Sequence, residues 1–203
     1  AFDFTEGTLV LTEAGKKRRA SVHLVHGEPS LMQFDKGGID VLSCSLAQFM
    51  EALGRENHTL KRSLTDQRFL SVIGNAYSDE ILHRAGISPM RQIRHLTHDQ
   101  WEGLYSACRQ VLSDWIDRLR QETGDRFPGK VTAFHPEMAV HGRYKEPCPD
   151  CGKPVQRIRY ASNEANYCAQ CQNQGNLLAD RSLSRLLKTD WPKTLEELEE
   201  SSR

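Results

Sequence analysis

The sequence lacks any long hydrophobic run. Apolar stretches such as Leu9-Val10-Leu11 last only a few residues. A membrane-spanning helix needs about 20, so no transmembrane helix is expected. The first 20 residues contain Asp3, Glu6 and Glu13 and no apolar segment, which argues against a secretory signal peptide. There is no internal repeat and no collagen-like glycine bias. There is also no surplus of charge, with 27 Lys+Arg against 27 Asp+Glu. A net charge of zero excludes simple polycation behaviour but leaves room for a local basic face. The 203 residues are 38% hydrophobic and 27% charged. That is the polar side of globular composition, suited to one or two domains and too apolar for disorder throughout.

Cysteine is scarce but patterned. Four of the six cysteines form two pairs, Cys148-Pro-Asp-Cys151 and Cys168-Ala-Gln-Cys171. The spacing C-x2-C-x16-C-x2-C is that of a zinc ribbon. Two thiolates from one tight turn take two tetrahedral corners, and a second turn brings the other two. Pro147, Pro149 and Gly152 supply turn character at the first knuckle. Two disulfides are the competing reading, disfavoured without a signal peptide. A redox CxxC would not need a second pair 16 residues on. Four cysteines close the coordination shell, so one structural Zn²⁺ is expected at Cys148, Cys151, Cys168 and Cys171. Cys44 and Cys108 sit among apolar residues and are expected as buried free thiols.

The chain divides by pattern. Residues 1–42 read as β. Phe2-Asp-Phe4 and Thr8-Leu9-Val10-Leu11 flank a Glu6-Gly7 turn signal, and Ser21-Val-His-Leu-Val25 alternates again. Between them runs Lys16-Lys-Arg-Arg19, which fits either a solvated loop or a phosphate-contacting one. Two or three strands cannot bury a core. With Ala1 and no Met at the start, a further N-terminal segment is expected upstream. Residues 44–123 read as helical, and 125–147, rich in Pro and Gly, as a loop leading into the cysteine motif. Ser45-Leu-Ala-Gln48 and Thr97-His-Asp-Gln100 are capping boxes. The first opens a helix with Leu46, Phe49, Met50 and Leu53 as its stripe. The second opens a long helix from Trp101 through Leu119, with Ile116 in its apolar stripe. Shorter helices are expected over Thr59–Thr65 and Asn75–Ala85, the latter ended by Gly86. In 138–175, Val155–Tyr160 alternates as a strand, Ala161–Ala165 supplies a turn, and Asn166-Tyr167 returns to Cys168. Residues 176–203 form an appended tail with a short helix around Leu183, Leu186 and Leu187 and an acidic last turn.

One segment exceeds a propensity pattern: Lys61, Asp66, then Val72-Ile-Gly-Asn-Ala-Tyr-Ser-Asp-Glu80, then Ala85-Gly-Ile-Ser-Pro89. It resembles the helix–two-turns–helix of the formamidopyrimidine-DNA glycosylase and endonuclease VIII family. There a Lys and an Asp precede Gly-(Ile/Val)-Gly-Asn-x-Tyr-x-(Ser/Asp)-Glu and Ala-Gly-Ile-x-Pro. Val140-His-Gly-Arg-Tyr-Lys-Glu-Pro-Cys148 is similar to the family's lead into its zinc finger. Asn166-Tyr-Cys-Ala-Gln-Cys-Gln172 is similar to its close. The resemblance covers residues 1 to about 175.

The resemblance implies an α+β fold. It has the end of an N-terminal β-sandwich (1–42), a helix–two-turns–helix domain (43–137), a zinc-ribbon hairpin (138–175) and the tail. It implies a partner, damaged double-stranded DNA, and a cytoplasmic, nucleoid-associated monomer that contacts no membrane. A helix N-terminus beside a cation is a ready phosphate site, which points to Asn75 and Lys61, although a plain N-cap and a solvated lysine fit the same residues. Tyr77, Lys17 and Arg18 join them as DNA-binding candidates, as do Arg157 and Arg159, two residues apart on one strand face. Family members remove oxidised bases and cleave the abasic strand. The secondary amine of an N-terminal Pro attacks C1′ of the flipped nucleotide, and a neighbouring Glu acts as acid and base. None of these positions has a counterpart here. The chain is therefore expected to be the DNA-binding part of such a bifunctional glycosylase/AP lyase, with no catalytic residue of its own. The alternative is a catalytically inactive zinc-containing DNA-binding module. Three departures leave the lesion open. Asn163 stands where the family's finger carries an Arg, Gln121–Pro128 differs from the lesion-recognition loop, and Lys17-Arg18-Arg19 lacks the usual Phe wedge.

Overall fold

The computed structural model describes residues 1–13, 20–128, 134–160 and 163–201. The chain divides into two units, Ala1–Asp35 and Lys36–Arg203.

In the first unit, strands β1 (Phe2–Phe4) and β2 (Gly7–Leu9) pair antiparallel, with Phe2 opposite Leu9. Thr8 Oγ1 donates to Asp3 Oδ1 at 2.6 Å across the hairpin. A 3₁₀ helix covers Glu28–Phe34. The strand expected over Ser21–Val25 does not form. Its alternating residues find no cover, with Val22 70% and Leu24 100% exposed, and period-2 hydrophobicity makes a strand only where one face is buried. The expected β-sandwich remnant is thus one two-stranded hairpin among the described residues.

The second unit holds four helices around one core: α1 (Leu46–Gly54), α2 (Leu60–Thr65), α3 (Asn75–Arg84) and α4 (His98–Thr123). Both capping boxes form. Gln48 N donates to Ser45 Oγ and Gln100 N to Thr97 Oγ1, each at 3.3 Å, while each glutamine side chain accepts from its cap's backbone N–H. Phe49 and Leu53 of α1, Leu60 and Leu64 of α2, Ile81 and Leu82 of α3, and Trp101, Leu104, Cys108, Val111, Leu112 and Trp115 of α4 bury together. Cys44 lies in the same core. Ile116 and Leu119, expected in the stripe of α4, are 36% and 40% exposed, because the helix runs on past the core it packs against.

Residues 36–42, expected with the β lobe, belong to the helical body. Ile39 N donates to Phe69 O, Ser71 N donates to Ile39 O, and Val41 is fully buried. This contact requires Gly38, where an added Cβ would meet Gln67 O at 2.4 Å and Leu70 C at 2.9 Å.

The zinc-ribbon hairpin is β3 (Gln156–Tyr160) paired antiparallel with β4 (Asn163–Tyr167), followed by α5 (Ala169–Asn173). Asn163–Ala165, expected as turn, are strand. Ala165 pairs with Ile158, and both are buried, so the apolar face holds the register that far. The tail folds back through α6 (Arg181–Leu187) and α7 (Leu195–Ser201). Leu195 joins Ile158, Tyr167 and Ala169 in a small core, and Leu178 N donates to Tyr167 Oη at 2.8 Å. Asp180 Oδ2 accepts from Arg159 N at 2.8 Å, which occupies the outer edge of β3. No helix among the described residues is long and apolar enough to cross a membrane.

The loop from α2 to α3 contains a strained residue. Val72 adopts φ 64° with 67% exposure, a left-handed conformation that β-branched residues disfavour by about 1–2 kcal/mol. The Gln67 amide holds it there. Gln67 Oε1 accepts from Val72 N and Nε2 donates to Ile73 O, each at 3.1 Å. Asn enters this region more easily, and little burial is lost at an exposed site. Val72→Asn is expected to raise the melting temperature by about 2–4 °C in calorimetry; an unchanged or lower value would show that the loop is not strained.

Candidate nucleic-acid interface and metal centre

The sequence of α3 writes two faces. Ile81 and Leu82 enter the helical core. Ala76 joins them, whereas Asp79, Glu80 and His83 follow helical spacing on another face and are buried against the zinc ribbon and its lead-in. Buried carboxylates need full hydrogen bonding, and these have it. Glu80 accepts from the backbone N–H groups of Ala139 at 2.7 Å, Val140 at 2.9 Å and His141 at 2.9 Å. Asp79 Oδ2 accepts from His141 Nδ1 at 2.8 Å and from Asn166 N at 3.1 Å. Asp79 Oδ1 pairs with Lys61 Nζ at 2.6 Å.

This corrects the expectation for Lys61. Its ammonium also donates to Asn75 O at 2.7 Å and Ser78 Oγ at 2.8 Å. Three donors thus meet three acceptors in a site where Lys61 is 3% exposed, and none is left for a phosphate. Burial pulls its pKa down and Asp79 holds it up. Lys61 acts from below, by fixing the carbonyl of Asn75 and the first turn of α3.

Asn75 opens α3, with Gly74 as the N-cap and no side-chain cap. Its Nδ2 donates instead to Glu164 O of β4 at 2.9 Å. This bond sets the hairpin beside the N-terminus of α3. By register, Arg157 and Arg159 share the face opposite to Ile158. Glu164 Oε2 lies 3.4 Å from the Arg157 guanidinium and 3.3 Å from that of Arg159. Arg157 also stacks over the Tyr144 ring at 4.1 Å. Tyr77 is half-buried, its ring edge-on to Trp115 at 5.9 Å, and burial, then Glu80, pushes its phenol pKa up. Asn75, Arg157, Arg159 and Glu164 thus form one cluster, with Lys61 beneath it. Lys17 and Arg18 lie outside the described residues. Sequence reasoning missed Asp79, Glu80, His141 and Asn166 as the joint between the two parts. The available signal was the buried polar stripe at helical spacing on α3.

The four cysteines converge. Cys148 and Cys171 Sγ lie 3.9 Å apart and Cys151 and Cys168 Sγ 3.4 Å, and all four sulfurs fall within 4.8 Å of one another. A tetrahedron with Zn–S of about 2.3 Å has edges of about 3.8 Å, so the donor set fits one structural Zn²⁺. Cys148 and Cys168 are buried with Val140 and Val155. Cys44 and Cys108 are free and buried, and burial raises the pKa of both thiols.

Residues 40–125 match the family model of the formamidopyrimidine-DNA glycosylase H2TH domain, and residues 145–174 match that of the zinc finger found in FPG and IleRS. An uncharacterised formamidopyrimidine-DNA glycosylase-like protein of Mycobacterium tuberculosis is 38% identical over 151 residues, which are 74% of this chain and 94% of that protein. The chain belongs to the formamidopyrimidine-DNA glycosylase family. The formamidopyrimidine-DNA glycosylase of Thermus thermophilus is 37% identical over 131 residues, 63% of this chain and 49% of that enzyme. The crystal structure of the Fpg protein from that organism superposes with a TM-score of 0.56 at 36% identity, covering 66% of this chain and 53% of that one. Lactococcus lactis Fpg in complex with abasic-site DNA shares the fold, with a TM-score of 0.58 at 23% identity over 71% of this chain and 54% of that one. The chain therefore spans about half the length of these named glycosylases and nearly all of the mycobacterial relative.

The Lys61–Asp79 pair carries a direct prediction. Removing one partner of a buried ion pair strands the other charge, at a cost of about 3–5 kcal/mol. Lys61→Met is expected to lower the urea midpoint by that equivalent with an unchanged m-value. A midpoint equal to wild type would show that Asp79 does not depend on Lys61.

Proposed function

We propose that this chain is the damaged-DNA-binding part of a bifunctional DNA glycosylase/AP lyase that removes oxidised bases, and that it holds duplex DNA through backbone phosphates. The observation that carries this reading is the bond from Asn75 to Glu164 O. It brings the open N-terminus of a ten-residue helix and the two arginines of a metal-clamped hairpin to one place. Free helix N–H groups and guanidinium groups are both phosphate ligands. Tyr77 follows two residues later on the same helix end. Glu164 holds the arginines in position and leaves Arg159 65% exposed at its side chain. Such contacts supply affinity without sequence readout.

The test is a titration of duplex DNA at several salt concentrations. Arg157→Ala/Arg159→Ala should weaken binding at every sequence and flatten the log–log salt slope by about 1–2. Asn75→Ala should weaken it with less effect on the slope. Affinity and slope equal to wild type in the double variant would remove the arginines from the interface.

The chemistry of strand cleavage needs an unprotonated amine at C1′, which the family resemblance assigns to an N-terminal Pro. Lys61 is no substitute, because it is buried and its Nζ is enclosed by Asn75 O, Ser78 Oγ and Asp79 Oδ1, out of reach of a nucleotide. The 203-residue polypeptide is expected to bind abasic duplex without forming a borohydride-trapped adduct. A stoichiometric adduct would mean that the amine lies within residues 1–203. A second reading is a DNA-binding module without catalysis. It is favoured by the mycobacterial relative, nearly all of whose length is matched by this chain. The same trapping assay on the full natural protein separates the two. An adduct supports the lyase, and tight binding without one supports the module.

A further inference from the structure

The buried face of α3 ends in a residue that neither phosphate binding nor the four-cysteine shell uses. His83 follows Asp79 by four positions and Glu80 by three, so it projects from the same face. Its side chain is 4% exposed, and its Nε2 lies 3.2 Å from Cys148 Sγ. Asp150 Oδ2 lies farther from that nitrogen, at 3.6 Å on a side chain 65% exposed, and the Cys171 sulfur is within 4.8 Å of the ring. The separation from Asp150 is beyond a hydrogen bond.

The direction of the 3.2 Å contact follows from the metal. A cysteine that ligates Zn²⁺ is a thiolate, which has no proton and can only accept. The proton therefore sits on Nε2. Zinc with four sulfur ligands has a full shell, so His83 does not bind the metal. It meets the sulfur from outside. A four-thiolate Zn²⁺ centre has net charge −2, and a buried N–H donor spreads part of that charge and fixes the orientation of the ligand. Comparable outer partners of zinc ligands change metal affinity by about 10–100-fold.

We infer that His83 donates Nε2–H to the zinc-bound thiolate of Cys148 and so ties the C-terminal turn of α3 directly to the metal. It is a positioning residue. The helix that presents Asn75 at one end is then anchored at the other by the zinc centre, and metal retention depends on a residue 65 positions upstream of the first ligand. The inference rests on the four-cysteine site and not on the DNA reading.

The experiment compares wild type with His83→Phe, which fills the space without a donor, and His83→Gln, which restores an N–H. Zinc release to a chromogenic chelator should be about 10–100-fold faster in His83→Phe and within a few-fold of wild type in His83→Gln. With Co²⁺ in the site, the thiolate-to-metal charge-transfer band should move to longer wavelength in His83→Phe, because a thiolate without the donor is easier to oxidise, and return in His83→Gln. Release from His83→Phe at the wild-type rate would overturn the inference. So would equally fast release from both variants, which would mean that ring packing matters and the donor does not. Wild-type protein loaded with ¹¹³Cd gives a readout independent of the variants' folding. A scalar coupling from cadmium to the imidazole Nε2 proton supports the bond, and an Nδ1–H tautomer overturns it.

Discussion

Two adjacent carboxylates on one helix, Asp79 and Glu80, decide how the parts of this molecule meet. Charges taken out of water are costly unless each lone pair finds a donor. Here the donors come from three places: Lys61 on α2, the backbone of 139–141 with the His141 ring, and the free edge of β4. Because no donor can leave without stranding a charge, the pair works as a joint with a single satisfied geometry. The zinc ribbon could not achieve this alone, for among the described residues its apolar burial is two small clusters, Val140, Cys148, Val155 and Cys168 in one, and Ile158, Tyr167 and Ala169 with Leu195 of the tail in the other. Its fold comes from the metal, and its orientation comes from α3.

The hairpin is two-sided as a result. One face, with Ile158, Ala165 and Tyr167, is covered in part by the tail through Leu195 and the bond to Leu178 N. The outer edge of β3 is occupied by Asp180 and the outer edge of β4 by Asn75 and Asp79. A two-stranded ribbon is marginal in water, and unpaired edges invite association; both liabilities are met here by neighbours in the same chain. What is left for solvent is the Arg159 end of the opposite face, where Arg157 is partly exposed and Asn166 is buried. The tail therefore supports the hairpin that carries these two arginines.

The helical body applies the same logic to a loop. Gln67 commits both ends of its amide to the backbone of Val72 and Ile73, and Gly38 admits a neighbouring backbone where no side chain would fit. Together these hold the turn that leads into Asn75, so the N-terminus of α3 is presented by a rigid loop.

Much of this was legible in the residues. Capping boxes at Ser45 and Thr97, the stripes of α1 and α4, the positive-φ glycine after α3 and the cysteine spacing all act over a few residues, where chemistry is local and sequence order is spatial order. The four zinc ligands and the family follow from such patterns. Tertiary structure decided the rest. Lys61 looked like a surface cation because sequence does not say which face of α2 is covered. Only the arrival of Asp79, 18 residues on, makes it a buried one. Ser21–Val25 had the alternation of a strand and no partner to pair with. Asn75 looked like a cap, and a contact 89 residues away turned its amide to β4. Local propensity is written residue by residue, whereas the burial of a charge depends on which distant groups can reach it.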